Sequence, residues 1–598
     1  MYEAFAKLDG SHPWRDVSPD GYVDYPARRR PGGSVIYFNY ALAAELGLIS
    51  RRHPRRMNER LERVILDTFA IQIVNEYDRA NPRRLRGAKL KRGKYMATRY
   101  LQIQHKSRQG HTSGDGRAVW NGVLRTPTLT FDVSSRGTGV TRLSPGAQKA
   151  GAPVRTGDDS VGYSSGLADL DEMVGTAVMS EIFYKQGYPT ERTLVVIDFG
   201  DGSAIGVRTA PNLIRPAHLF RFLKQGRHAE LKAGFEYFLR RQEHNGFWKL
   251  PREGSARARA ALRYLARSYA KLAAVLEEEY IFNWLSWDGD NMLASGAILD
   301  YGSVRQFAAR HDRYRYDDVD RYSTCLSEQK GWARELVKVF AQLADFVVTG
   351  RKRNLRHFGA ARCLRLFDAA FERERNRRLL WRLGFEPTQI DRLLRVARRE
   401  IGDFRRALAF FETLKVSGGF ERLADGITHR PVFLIRNVLR RLPAYYVSEC
   451  AAVPGPQMPP EQFCRIMAAS YATKEDLRLT PTRVARAKNF QSCYQRLLAA
   501  AGPYAKVLHT VTERSAVINR EHRMTGDGLI WIVNEVIELR GRMRRDELQD
   551  ALDAFIDSQV LVPGQWRPIP PEQMAGDTPK ADLFRRIAED LERCKETV

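Results

Sequence analysis

The chain has 598 residues, with 97 Lys+Arg against 70 Asp+Glu and a formal charge of +27. Hydrophobic residues make up 43% and charged residues 28%, the balance of a folded chain and not of a disordered one. No run of about 18 apolar residues occurs, which excludes a membrane-spanning helix, and the charge surplus points to a polyanionic partner: nucleic acid, an anionic membrane or phosphates.

Met1-Tyr2-Glu3-Ala4 lacks a basic segment followed by an apolar one, so no signal peptide is expected. The six cysteines are scattered without a C-x-x-C pair, which argues against a disulfide framework or a cysteine zinc site. A soluble, cytoplasmic protein is expected.

Residues 1–105 mix loops with one or two helices and read as an extension packing on the core. Phe38 to Gly47 reads as a helix closed by its glycine. Arginine clusters flank it, at Arg28, Arg29 and Arg30 and again from Arg51 to Arg56; they read as solvated basic faces, with nucleic-acid contact as the other reading. Residues 106–215 form a small β-rich lobe with strands at 119–124 and 129–133. A polar, glycine-containing loop over 146–165 reads as mobile. A helix over 167–186 follows, stopped by Gly187-Tyr188-Pro189, and then a hairpin over 193–209 turning at Gly200-Asp201-Gly202. Residues 216–340 are mostly helical, at 217–224, 228–242 and 256–281, with a loop at 283–305. Residues 341–598 read as helix throughout. The fold class is α+β: a small β-rich lobe with one helix, a large helical lobe, and a helical C-terminal region.

The most informative stretch is Trp287-Asp288-Gly289-Asp290-Asn291-Met292, followed by an apolar run to Leu299 and then Asp300-Tyr301-Gly302. If the run folds as a tight hairpin, Asn291 and Asp300 face one point. An amide oxygen and a carboxylate there make a hard oxygen site suited to Mg²⁺ or Mn²⁺ on a polyphosphate. Asp290 could then accept a proton from an attacking hydroxyl. Taken alone, the same residues read equally as ordinary turns. A calcium loop fits less well, because position 292 is Met and position 299 is not Glu.

Upstream, Ser135-Arg136-Gly137-Thr138-Gly139 precedes a helix carrying Glu181. A strand cation paired with a helix glutamate is how kinase-like folds position nucleotide phosphates. Gly114-Asp115-Gly116-Arg117, Arg208 and Arg215 add guanidinium groups able to bond two phosphate oxygens at once.

Taken in order, these pieces resemble the selenoprotein O (SelO) family. The resemblance runs from about residue 36 to 330 through Leu42 to Gly47, Gly114-Asp115-Gly116-Arg117-Ala118, Gly137-Thr138-Gly139, Ser180-Glu181, Gly187-Tyr188-Pro189-Thr190, Arg208 to Arg215, Asp290-Asn291-Met292, Asp300-Tyr301-Gly302 and Arg321-Tyr322-Ser323. It implies a protein-kinase-like two-lobed fold and an inverted nucleotide. The implied activity is transfer of AMP from ATP to Ser, Thr or Tyr hydroxyls of proteins. It further implies that Gly114, Gly116, Arg117, Arg136, Gly166, Glu181, Arg208 and Arg215 serve the nucleotide, that Asp290 is the proton acceptor, and that Asn291 and Asp300 hold Mg²⁺ or Mn²⁺.

The chain departs from the family at several points. Arg136 stands where the family has lysine, Ser165 precedes Gly166 where an acid is usual, and about twenty residues are inserted before them. Trp284 replaces a histidine, and Ser303-Val304 replace a proline-phenylalanine pair. These departures keep a nucleotide-binding pseudokinase scaffold open as a second reading, and the charge keeps a nucleic-acid-binding protein open as a third, although no nucleic-acid motif is present. Beyond 340, runs such as Arg351 to Arg356 and Arg373 to Arg378 read as solvated basic faces, and Cys594 as a plain surface thiol.

Overall fold

The hairpin predicted around Gly200 anchors the architecture. Its strands carry Leu194-Val195-Val196-Ile197 and Ala204-Ile205-Gly206-Val207, continuous apolar runs that suit burial on both faces. In the computed structural model, which describes residues 2–105, 107–160, 165–310, 326–417, 430–449 and 454–596, every residue of both strands is buried. The motif Arg321-Tyr322-Ser323 and the cysteines Cys325 and Cys450 lie outside the described residues.

The strands of the large sheet are β1 (Tyr22–Arg29), β2 (Ser34–Phe38), β3 (Ile71–Ile73), β4 (Leu90–Thr98), β5 (Ala118–Arg125), β6 (Thr130–Arg136), β7 (Ala168–Asp169), β8 (Arg192–Asp198) and β9 (Ser203–Ala210). Their order is β2-β8-β9-β6-β5-β4-β1-β3, with β7 also on β9 and each pair antiparallel. Register places Arg136 of β6 opposite Gly206, and Arg208 of β9 opposite Ser134. Both cations therefore come from the middle of the sheet.

The helix Leu170–Lys185 lies against β8 and β9 and buries 12 of its 16 residues. Gly206 lets it approach, since a Cβ there would fall 2.1 Å from the Met173 sulfur. Its other side meets the helices Gly526–Leu539 and Arg545–Gln559. Residues 526–594 thus share a core with the sheet's covering helix and with the helices Pro216–Gln225, Gly254–Glu278 and Gln329–Thr349. A separate core gathers residues between Leu379 and Val511.

The helix predicted over 256–281 stops at Glu278. Tyr280 takes a positive φ of 54°, and 281–283 become strand β10 (Ile281–Asn283), paired with β11 (Val304–Gln306). Three buried acids stand at this bend. Glu277, Glu278 and Glu279 are buried, and Glu278 lies 2.5 Å from Arg405 while Glu279 lies 2.7 Å from Arg378. Arg375 and Arg378, read from the sequence as solvated, turn inward to these carboxylates. Part of the segment 146–165 is a helix, Pro145–Ala150, and residues 161–164 are outside the described residues. Cys594 is not a surface thiol. It is fully buried, so close to Gly528 that a Cβ on the glycine would meet its sulfur at 2.3 Å, and burial pushes its thiol pKa up.

Asp132 of β6 ties three parts of the chain together. Its carboxylate accepts from Arg241 at 2.9 Å and from the Leu213 N–H at 2.8 Å, and lies 3.1 Å from His12 Nε2. Burial opposes its ionisation, but Arg241 and His12 hold its pKa below the ordinary value. Asp132→Ala leaves Arg241 buried and unpaired, and a loss of about 3–5 kcal/mol is expected in urea unfolding. Cys594 is expected to resist alkylation in the native protein and to react once it is denatured, read by mass spectrometry of its peptide.

Candidate functional site

The sheet and the helical layer leave a cleft of about 720 Å³ between them. The run after Asp290 closes as predicted: Met292 bridges Ile298, and Leu293 N–H bonds Ala297 at 2.9 Å around Gly296 at φ 82°. This tight turn brings Asp290, Asn291 and Asp300 into one wall of the cleft. Gly114, Gly116, Arg117, Arg136, Arg208 and Arg215 line the same cleft. Gly166 sits between two lining residues, Ser165 and Leu167. Its φ is 86°, and a Cβ there would meet Val140 N at 1.9 Å, so only glycine lets the two segments cross. A Cβ on Gly114 would meet Thr98 O at 2.0 Å, and one on Gly116 would meet Ser144 Cα at 2.9 Å.

Glu181 is placed elsewhere. Its carboxylate accepts from Arg192 Nη2 at 2.7 Å and Nε at 3.0 Å, and from Asn39 Nδ2 at 2.9 Å. The expected Arg136–Glu181 pair is not formed. The acid of that helix facing the cleft is Glu172, nine residues earlier. At 3.6 residues per turn, nine residues are about two and a half turns, which puts the two side chains on opposite faces. Glu172 takes both guanidinium N–H groups of Arg117, at 2.8 and 2.7 Å, and lies 3.5 Å from Arg136.

Every cleft arginine is matched internally. Arg136 donates to Asp300 Oδ1 at 3.2 Å. Arg215 donates to the Asp290 carbonyl at 2.9 Å and makes a tight ion pair with the Asp290 carboxylate. Arg208 lies 3.4 Å from Glu191, a fully buried carboxylate that also accepts the Asp300 N–H at 3.0 Å. Asp115 holds the neighbouring loop, accepting from Thr98, Tyr100 and Trp120. Neither Glu172 nor Glu191 belongs to any of the motifs read from the sequence. Their signals are the half-period offset from Glu181 and an acid set directly before β8, between Thr190 and Arg192.

Overall the lining holds eight carboxylates against four guanidinium groups. The arginines expected from the sequence line the cleft but are outnumbered. The two central acids are driven apart. Burial pushes the Asp290 pKa up to about 7 against the pull of Arg215, with Asp288 adding to the rise. Burial also acts on Asp300, but Arg136, Arg117, Arg215 and Arg208 hold it below the ordinary carboxylate range. The two acids are therefore pushed in opposite directions within one cleft. Asp300 also takes a left-handed φ of 66°, rare for a residue with a Cβ and frequent at functional sites.

Among the described residues no group of three His, Cys, Asp or Glu side chains forms a standing metal site. One carboxylate and one amide, Asp300 and Asn291, suit an ion that brings phosphate oxygens and water as its remaining ligands, as Mg²⁺ does. No helix of the described residues is long and apolar enough to cross a membrane.

The cleft thus gathers four guanidinium forks and a pair of acids whose pKa values are pushed in opposite directions. No protein-family model matches the chain. Curated proteins do. A protein nucleotidyltransferase YdiU of Halalkalibacterium halodurans is 30% identical over 198 residues, 32% of this chain and 36% of the relative. One from Clostridium botulinum is 31% identical over 199 residues, covering 32% and 36%. One from Variovorax paradoxus is 25% identical over 303 residues, covering 47% and 53%. The matches thus span about a third to a half of these relatives' length. YdiU proteins are the SelO family, and over these stretches the chain is similar to them, consistent with a divergent member.

Glu191→Gln removes the charge that faces buried Arg208 while keeping an oxygen able to accept the Asp300 N–H. A destabilisation of about 3 kcal/mol is expected from the unpaired guanidinium, read by thermal unfolding.

Proposed function

We propose that the protein is an adenylyltransferase that moves AMP from ATP to hydroxyl groups of protein Ser, Thr or Tyr, in a protein-kinase-like two-lobed frame. The observation that carries the reading is the meeting of Asp290, Asn291 and Asp300 with Arg117, Arg136, Arg208 and Arg215 in one cleft. The names of the YdiU relatives support nucleotidyl transfer to protein.

In this reading the attacking hydroxyl oxygen bonds to the α-phosphorus and the bond from that phosphorus to the bridging oxygen breaks. The proton passes to the Asp290 carboxylate, and pyrophosphate leaves. Arg215 releases its ion pair with Asp290 to a phosphate oxygen, which frees the carboxylate to act as base. Arg117 and Arg136 exchange Glu172 for the terminal phosphates, and their fixed forks hold the leaving group. Asn291 and Asp300 would hold Mg²⁺ or Mn²⁺, which when bound neutralises charge on the polyphosphate. The charge count supports that need: a lining richer in carboxylates than in arginines repels a bare triphosphate.

The test is incubation of the full chain and a cell lysate with α-labelled ATP and Mn²⁺ or Mg²⁺. Transfer of label is expected, with an added AMP mass on the product. Asp300→Ala and Asp290→Ala are each expected to cut the rate by about a hundredfold or more, and chelation of the metal to abolish it. Absence of label, or an Asp300→Ala protein as active as wild type, defeats the reading.

The pseudokinase scaffold is the second reading, favoured by Arg136 in place of lysine and by its double engagement with Glu172 and Asp300. It predicts that ATP raises the melting temperature while no label is transferred.

A further inference from the structure

Between Asp345 and Asp368 the chain carries six Lys or Arg residues and no acid. Arg351-Lys352-Arg353 follows the helix Gln329–Thr349, which Gly350 closes at φ 68°, and Arg356 lies in the short turn Leu355–Phe358. Backbone bonds fix the run in place. Thr349 Oγ1 accepts the Arg351 N–H at 3.2 Å, Asn354 Oδ1 accepts the Arg356 N–H at 3.0 Å, and Gln342 Nε2 donates to the Arg353 carbonyl at 2.7 Å. Arg351, Lys352 and Arg356 are exposed. The run meets the end of the helix Pro216–Gln225, where Lys352 Nζ donates to the Lys224 carbonyl at 3.0 Å. Lys224 is itself exposed, and its ammonium lies 5.7 Å from the centre of the Trp287 ring. Trp287 adjoins Asp288, which lines the cleft, and the same helix begins at Arg215 inside the cleft. A basic surface therefore runs outward from the cleft wall.

Two observations set this surface apart from a solvated face whose charges are balanced nearby. First, neighbouring acids are already engaged: Asp345 lies 3.6 Å from Arg353, Glu335 holds Lys338, and Asp20 and Glu230 hold Arg227. Among the described residues, Lys224, Arg351, Lys352 and Arg356 have no ion-pair partner. Second, like charges are held close. Partial burial and the nearby Lys224 ammonium lower the Lys352 pKa. An anion docked between two such cations relieves their repulsion.

We propose that this surface docks an acidic segment of the protein that receives the nucleotide, with the segment's carboxylates on Lys224, Arg351, Lys352 and Arg356 while its hydroxyl residue enters the cleft. The inference rests on the proposed transfer to protein. The geometry sets a spacing. Lys224 stands nine residues beyond Arg215, about 14 Å along the helix, which about four residues of extended chain span. The cleft lining is itself rich in carboxylates and repels acids placed next to the hydroxyl. The favoured acceptor therefore carries its acids about four residues away from the hydroxyl. A nucleic acid fits the surface less well. Residues 351–357 include no Phe, Tyr or Trp, and Lys224 already lies over Trp287, so bases find no platform on which to stack.

The experiment is fluorescence anisotropy of labelled hexaglutamate titrated with the full chain at low ionic strength. Saturable binding is expected, weakened at least about tenfold when Lys224→Glu, Arg351→Glu, Lys352→Glu and Arg356→Glu are combined. Arg51→Glu, Arg52→Glu and Arg56→Glu combined reverse exposed cations elsewhere and are expected to leave binding unchanged. The four-residue variant is expected to gain binding of labelled hexalysine, which a merely misfolded protein does not do. The proposal falls if hexaglutamate does not bind, if the four-residue variant binds it as tightly as wild type, or if the Arg51, Arg52 and Arg56 variant loses as much. It also falls, in favour of a nucleic-acid surface, if an oligothymidylate of equal charge binds more tightly and displaces the peptide. A chain that transfers no label yet binds hexaglutamate through the four cations defeats the transferase reading alone. A chain that transfers label while the four-residue variant binds like wild type defeats the docking surface alone.

Discussion

A buried guanidinium group must have a carboxylate beside it, and that requirement organises the candidate site. Arg136, Arg208 and Arg215 are almost wholly out of water. Each is held by an acid from a different stretch of chain: Asp300, Glu191 and Asp290. The pairs stitch β6, β9, the segment before β8 and the Asp290–Asp300 turn into one object. In the proposed function, forks already aimed at carboxylate oxygens would take phosphate oxygens in their place. The cost is competition. A ligand has to displace internal anions, and the excess of acids in the lining raises that cost further.

The same rule acts outside the site. Asp132 joins Arg241 and His12 beneath the sheet, and Glu277, Glu278 and Glu279 draw in arginines from the helices beyond 362. These clusters explain how so arginine-rich a chain folds. Many of its arginines are held inside by acids distant in sequence, and because each such pair is neutral the surplus of 27 is carried by the charges outside those pairs.

The local pattern was legible from sequence where one element decides its own fate. The 193–209 hairpin, the helix over 167–186 and the tight turn from Met292 to Leu299 follow from apolar runs and glycine turns. The cleft residues Gly114, Gly116, Arg117, Arg136, Arg208, Arg215, Asp290, Asn291 and Asp300 were legible through motifs met in order. What could not be read was pairing across the chain. The pattern of a strand cation paired with a helix glutamate points to Glu181 for Arg136, yet helical phase turns Glu172 to the cleft and Glu181 to Arg192. Glu191 carries no motif and gains its role only when β8 and the Asp300 turn meet. Cys594 looked exposed because nothing in its own neighbourhood shows that Gly528 makes room for it. Arg375 and Arg378 looked solvated because their acidic partners lie about a hundred residues away.

The helix carrying Glu172 has one further consequence. It is wedged between β8 and β9 on one side and two helices from beyond residue 526 on the other, with a sulfur atom pressed onto Gly206. An element gripped from both sides cannot swing outward like a lever to dismantle the Glu172 clamp. Opening and closing of the cleft is left to rotamer changes of the acids themselves, or to release of the distal helices, so a contact made far along the chain holds the latch on its chemistry.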